Sequence, residues 1–223
     1  MLESLFKPTV IAEYVTFIAA LFLLPRRVGV WRLFVLFMLV TIVTETVGFS
    51  IAWSGRSGHN RNNHWLFNLY LLIENVFCIW IFLWAEPMKK ARRLLWGLLL
   101  FYVCFGVGNL LFFQGVWTYN SYTDVLGDVE LAIVCCYFFY ACLREEELRD
   151  LFRYEYFWLA NGLLFSALGS VVLYIFIDAL YAFARHSHID VYRYINSGLN
   201  FILYGSMIIA FICRNRNTRS SPG

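Results

Sequence analysis

Seven apolar stretches run through the chain, at residues 8–24, 31–53, 65–85, 94–114, 124–143, 156–184 and 192–213. Each is 17–29 residues long, and about 20 helical residues cross a hydrocarbon core of about 30 Å. Lipid offers no water to unpaired backbone groups, so segments of this kind are predicted to be α-helices rather than open strands. The connections are too short to hide a soluble domain. The pattern therefore predicts one domain over residues 1–213, a bundle of seven transmembrane helices, followed by a short basic cytoplasmic tail at 214–223.

The polar positions inside these stretches are not scattered. Glu13, Asn68, Asp128, Glu130, Asn196 and Asn200 come early in odd-numbered segments. Glu45, Asn109 and Asp178 come late in even-numbered ones, and Glu74 with Asn75 lies near the middle of the third. Successive helices alternate in direction, so both groups fall toward the same membrane face. Spacings of three and four place side chains on one helical face. Thr41, Glu45 and Gly48 form such a stripe, as do Ser166, Ser170, Tyr174 and Asp178, and Asn196, Asn200 and Tyr204. A carboxylate facing lipid costs about 2.5–3.5 kcal/mol even on the most lenient scale, so these stripes are predicted to face the bundle interior. The expected ligand pocket comprises Glu13, Glu45, Asn68, Glu74, Asn109, Asp128, Glu130, Asp178, Asn196, Asn200 and Tyr204. Its structural alternative is helix–helix glue, since Gly162, Ser166 and Ser170 make a packing face of small residues in their own right.

Composition agrees with the pattern: 61% of the 223 residues are hydrophobic and only 15% charged. Thirteen of the 18 basic residues lie on one face, at Arg26, Arg27, Arg32, Lys89, Lys90, Arg92, Arg93, Arg144, Arg149, Arg153, Arg214, Arg216 and Arg219. Lys7, Arg56, Arg61, Arg185 and Arg193 lie on the other. Basic residues mark the cytoplasmic side, which predicts an N-terminus outside, a C-terminus inside and residence in the cell (inner) membrane. The net charge of +3 thus reads as a topology signal beside anionic headgroups, with the lipid bilayer as partner and no nucleic acid expected. The first stretch is expected to stay as a helix: Glu13 lies within it, only Lys7 precedes it, and no small-x-small cleavage site follows. All six cysteines lie in or at the ends of the segments, so no disulfide framework is expected.

No intramembrane lysine or arginine is available to pair the acids, so protons, water, an ion or a cationic ligand must balance them. The same absence argues against retinal, which needs a Schiff-base lysine in the last helix, and no other cofactor is expected. His59, His64, His186 and His188, with Asp190, fall on the outer side and are candidate metal ligands of undiagnostic spacing. The last segment lacks the His-x-x-x-His of seven-helix membrane zinc hydrolases. The charge-dense connection Arg144 to Asp150 lies inside, as a solvated helix end or a docking point for a cytosolic partner.

Glu45-Thr46-Val47-Gly48, Asn63 through Asn68 and Glu74 resemble the signature across helices 2 and 3 of a group of uncharacterised bacterial seven-helix membrane proteins. Phe157-Trp158 with Gly162 through Phe165, and Asn196, Asn200 and Tyr204, are similar to the same group. Such proteins are often encoded beside histidine kinases, so the resemblance implies a role in signalling and no particular activity. The leading expectation is a non-enzymatic receptor or sensor, with a small ligand or cation in an outward-facing pocket and a cytosolic signalling partner. A transporter subunit is the first alternative. An intramembrane enzyme using paired carboxylates, such as Asp128 with Glu45 or Asp178, is the second.

Overall fold

The computed structural model describes residues 8–24, 29–55, 62–144, 150–187 and 189–220. These residues are helices and connections, with no strand among them. Eight α-helices follow in order: α1 (Pro8–Leu23), α2 (Leu33–Gly55), α3 (His64–Ile81), α4 (Arg92–Gly108), α5 (Ser121–Leu143), α6 (Glu155–Ile175), α7 (Ile177–Ser187) and α8 (Val191–Ser220). Six helical stretches are long and apolar enough to cross a membrane: Val30–Ala52, His64–Trp84, Glu86–Phe113, Ser121–Leu143, Glu155–Ile175 and Val191–Arg219. Thr9–Leu23 is a shorter apolar helix. The exterior is correspondingly apolar, with Phe22 82% and Phe112 81% exposed, a surface that water would not tolerate and lipid tails would. The molecule is an all-helical bundle of membrane-spanning character.

The sixth expected segment, 156–184, is not one helix. Phe176 leaves the helical conformation (φ −101°, ψ 11°) and separates α6 from α7. Past this point the chain has little to pack against: Ile175 and Phe176 are exposed, and α7 buries none of its residues. The last helix extends past residue 213, as far as Ser220.

Six helices close a ring. α1 packs on α2, α2 on α3, α3 on α5, α5 on α6, α6 on α8, and α8 back on α1. α4 stays outside this ring, against α3 and α5. Close approach is built from small residues. A Cβ on Gly162 of α6 would sit 2.6 Å from Ser206 Cβ of α8, and one on Gly127 of α5 would sit 2.5 Å from Asn75 Nδ2 of α3.

The two ends of the ring differ. One is filled by aromatic rings: Trp31 meets Tyr156 at 5.0 Å, Phe34 meets Phe211 at 5.4 Å and Phe82 meets Phe138 at 5.6 Å between centroids. Arg214 Nη1 there donates to Glu155 Oε1 at 2.9 Å and Asn217 Nδ2 to Glu155 Oε2 at 2.9 Å, tying the end of α8 to the start of α6. The other end is polar. Asn68 Nδ2 donates to the Val116 and Thr118 carbonyls at 3.1 and 2.8 Å, and its Oδ1 accepts the Asn120 N–H at 3.0 Å. Those bonds, with Asn62 donating to the Trp117 carbonyl, lay the α4–α5 connection across the mouth of the ring.

Candidate functional site

Inside the polar end lie two adjoining chambers. The larger, of about 270 Å³, is lined by Glu13, Thr41, Glu45, Phe67, Tyr70, Glu74, Tyr119, Asp124, Ser170, Tyr174, Tyr192, Asn196, Asn200 and Tyr204, with Leu71 and Leu173. The smaller, of about 150 Å³, adds Asn75, Cys78, Asp128 and Ser166 and shares Leu71, Glu74, Asp124, Ser170, Asn196 and Asn200 with the first. All six ring helices contribute to the walls. Neither α4 nor α7 does.

Periodicity explains which residues arrive. On α3, Phe67, Tyr70, Leu71, Glu74 and Cys78 recur at three and four and make one inward stripe. Asp124 and Asp128 do so on α5, and Tyr192, Asn196, Asn200 and Tyr204 on α8. Cys78 lies 14 residues along α3 from His64, about 21 Å at 1.5 Å per residue. The space therefore runs past the middle of α3 before the aromatic filling closes it.

Several polar tips are fixed. Tyr119 and Tyr174 both donate to Asp124 Oδ2, the former at 2.6 Å, and their hydroxyls lie 3.2 Å apart. Burial against Asp124 pushes the Tyr119 hydroxyl well above the usual phenol range, so it stays a donor. Tyr70 and Thr41 hydroxyls pair at 2.9 Å. Tyr204 lies within hydrogen-bonding reach of Glu13, and Tyr70 of Glu74. Glu13 is only 6% exposed, and its Oε2 has no partner among the described residues. No lysine, arginine or histidine lines either chamber among those residues.

Of the expected pocket residues, Glu13, Glu45, Glu74, Asp128, Asn196, Asn200 and Tyr204 line the chambers. Four do not, and each has a geometric reason. Asn68 lies about a third of a turn round α3 from Glu74 and spends its amide on the α4–α5 connection. Asn109 belongs to the π-helical turn Asn109–Phe113 that ends α4, outside the ring, and donates to Gln114 Oε1 at 2.8 Å and Thr123 Oγ1 at 2.9 Å. Glu130 follows Thr123 and Gly127 on the stripe of α5 that faces α3 and α4, and neither of its oxygens has a partner among the described residues. Asp178 is an exposed residue of α7.

Asp124 and Tyr119 were not among the expected residues. Asp124 is the first residue of its apolar segment, and its spacing from Asp128 is the usable signal. Tyr119 is in a connection, where periodicity says nothing. Among the described residues, which include His64, His186 and Asp190 of the candidate metal ligands, no three His, Cys, Asp or Glu side chains could hold one metal ion. His59 and His188 lie outside the described residues, as do residues 145–149 of the charge-dense connection.

No protein-family model matches the chain, and neither does any curated protein or solved structure.

Proposed function

We propose that this chain is a seven-helix membrane receptor, N-terminus outside and C-terminus in the cytoplasm, in which a small ligand enters the acidic cavity and shifts the helices that wall it. The observation that carries this reading is the pair of adjoining chambers: five carboxylates line them, no basic side chain does so among the described residues, and one buried carboxylate oxygen has no partner among those residues. The excess of arginine and lysine at the opposite end supports an outward-facing polar end.

α8 is the element suited to carry the change. It contributes Tyr192, Asn196, Asn200 and Tyr204 to the cavity and Arg214 to the pair with Glu155. The 22 residues from Tyr192 to Arg214 span about 33 Å of continuous helix. A ligand biases such an element only by binding one arrangement better than another. Cytosolic readout would then fall to a partner at the α5–α6 connection and the C-terminus, in keeping with the signalling role that the resemblance implies.

The aromatic filling favours a receptor over a transporter, because Phe34, Phe82, Phe138 and Phe211, each at most 1% exposed, pack the end of the ring opposite the chambers. Uptake assays on the protein alone in proteoliposomes, with labelled amines, amino acids and alkali ions, separate the two. Ligand binding without net uptake is expected. Sustained, saturable uptake of any of these solutes would overturn the receptor reading.

A further inference from the structure

We infer that the cavity is built for an extended organic cation of the linear diamine or polyamine class, seated with one ammonium at Glu13 and a second near Asp128. This deepens the ligand-pocket reading above and rests on it. Three features of the walls select the class.

The first is the unmet acceptor. Glu13 is buried, its Oε2 is without a partner among the described residues, and it faces the larger chamber beside Tyr204. Burying a carboxylate without compensation costs several kcal/mol, whereas an N–H⁺ donor placed there would make a strong charge-assisted bond.

The second is dispersion of charge. The carboxylates come from α1, α2, α3 and α5 and are spread along both chambers instead of meeting at a point. Among the described residues no three such groups could share a metal ion. The larger chamber, at about 270 Å³, also far exceeds the roughly 30 Å³ that one water occupies. A compact inorganic cation would reach few of these acids, whereas a chain carrying separated charges reaches several.

The third is the lining between the acids. Tyr70, Tyr192 and Phe67 offer ring faces to ammonium and adjacent methylenes, and Leu71 and Leu173 offer apolar surface to the alkyl linker. Ser170, Asn196 and Asn200 border both chambers and can accept the remaining N–H groups. The shared residues make the two chambers neighbours, and the proposed ligand places one end in each.

Calorimetric titration of the protein in lipid nanodiscs with 1,4-diaminobutane, 1-aminobutane, 1,4-butanediol and calcium chloride tests the assignment. The diamine should bind at least about tenfold more tightly than the monoamine, since a hydrogen bond between charged groups is worth about that factor or more. The diol and calcium should neither bind nor compete. Glu13→Gln and Asp128→Asn should each weaken the diamine by about the same factor, while Asp178→Asn should leave it unchanged. Where a cavity variant fails to fold, the wild type serves: the diamine, and not the diol, should protect Glu13 from modification by a small carbodiimide, read by mass spectrometry. Tight binding of the diol or of calcium, diamine binding unaffected in both cavity variants, or no protection of Glu13 would overturn the cation class and leave the pocket reading intact. If none of the four probes binds and the carbodiimide never reaches Glu13, both readings fall together.

Discussion

At the residue scale, the polar side chains within the apolar segments fall into two kinds. Glu45 and Glu74 face open space, so Glu45→Gln and Glu74→Gln keep size and hydrogen-bonding capacity while removing charge. Both variants should keep a near-native melting profile in detergent and lose ligand response; loss of folding with full response in the surviving fraction would make these acids structural. Asn68 is the opposite case. It is 1% exposed and satisfies two carbonyls and one N–H of the α4–α5 connection. Asn68→Ala should cost about 2 kcal/mol or more, because buried groups are left unpaired, and reversible unfolding in mixed micelles measures this. The two kinds look alike in sequence: both are polar residues in the outer half of apolar segments. Only the rotation of α3 tells them apart, because Asn68 turns toward the α4–α5 connection while Tyr70 and Glu74 turn toward the larger chamber. Tyrosines were the weaker signal still, since their rings count as apolar and hide the hydroxyls that hold Asp124.

At the element scale, the helical segments were legible because apolar runs of this length admit little else, and the stripes on α2 and α8 pointed at the cavity before any contact was known. What periodicity could not supply was the neighbour of each helix. α4 lies outside the ring, so Asn109 serves a turn; the break at Phe176 has no proline or glycine to announce it and removes Asp178. The α6–α8 interface depends on Gly162, whose position leaves no room for a side chain against Ser206 and the Leu203 carbonyl. Gly162→Val should destabilise the bundle by about 1–3 kcal/mol through overpacking, seen as a lowered melting temperature in detergent. Arg214→Ala leaves buried Glu155 with Asn217 alone, and should cost about 1–3 kcal/mol. Spin labels on α6 and α8 at the aromatic end should then show no ligand-dependent distance change even though the ligand still binds. An unchanged ligand response in Arg214→Ala would remove this pair from the coupling.

At the scale of the whole molecule, the two ends of the ring differ in character. An aromatic-packed end and an acidic, cavity-bearing end share one ring of helices, and in the proposed topology the arginine and lysine distribution turns the acidic end outward. In sealed cells Asp190→Cys should be labelled by an impermeant maleimide and Lys90→Cys should not; the reverse would turn the cavity toward the cytosol. The overall class was readable from hydropathy, and the one-sided placement of acids from helix alternation. The ring that encloses them was not, because it depends on which helix is left out. The most direct measurement of the central claim uses Ser170, which borders both chambers. In a cysteine-free background, Ser170→Cys should react from outside with a small, impermeant, positively charged thiol reagent, whereas Ala210→Cys, in the closed half, should not. A Ser170→Cys thiol that stays unreactive from outside, or reacts only from the cytosolic side, would contradict an outward-facing acidic pocket.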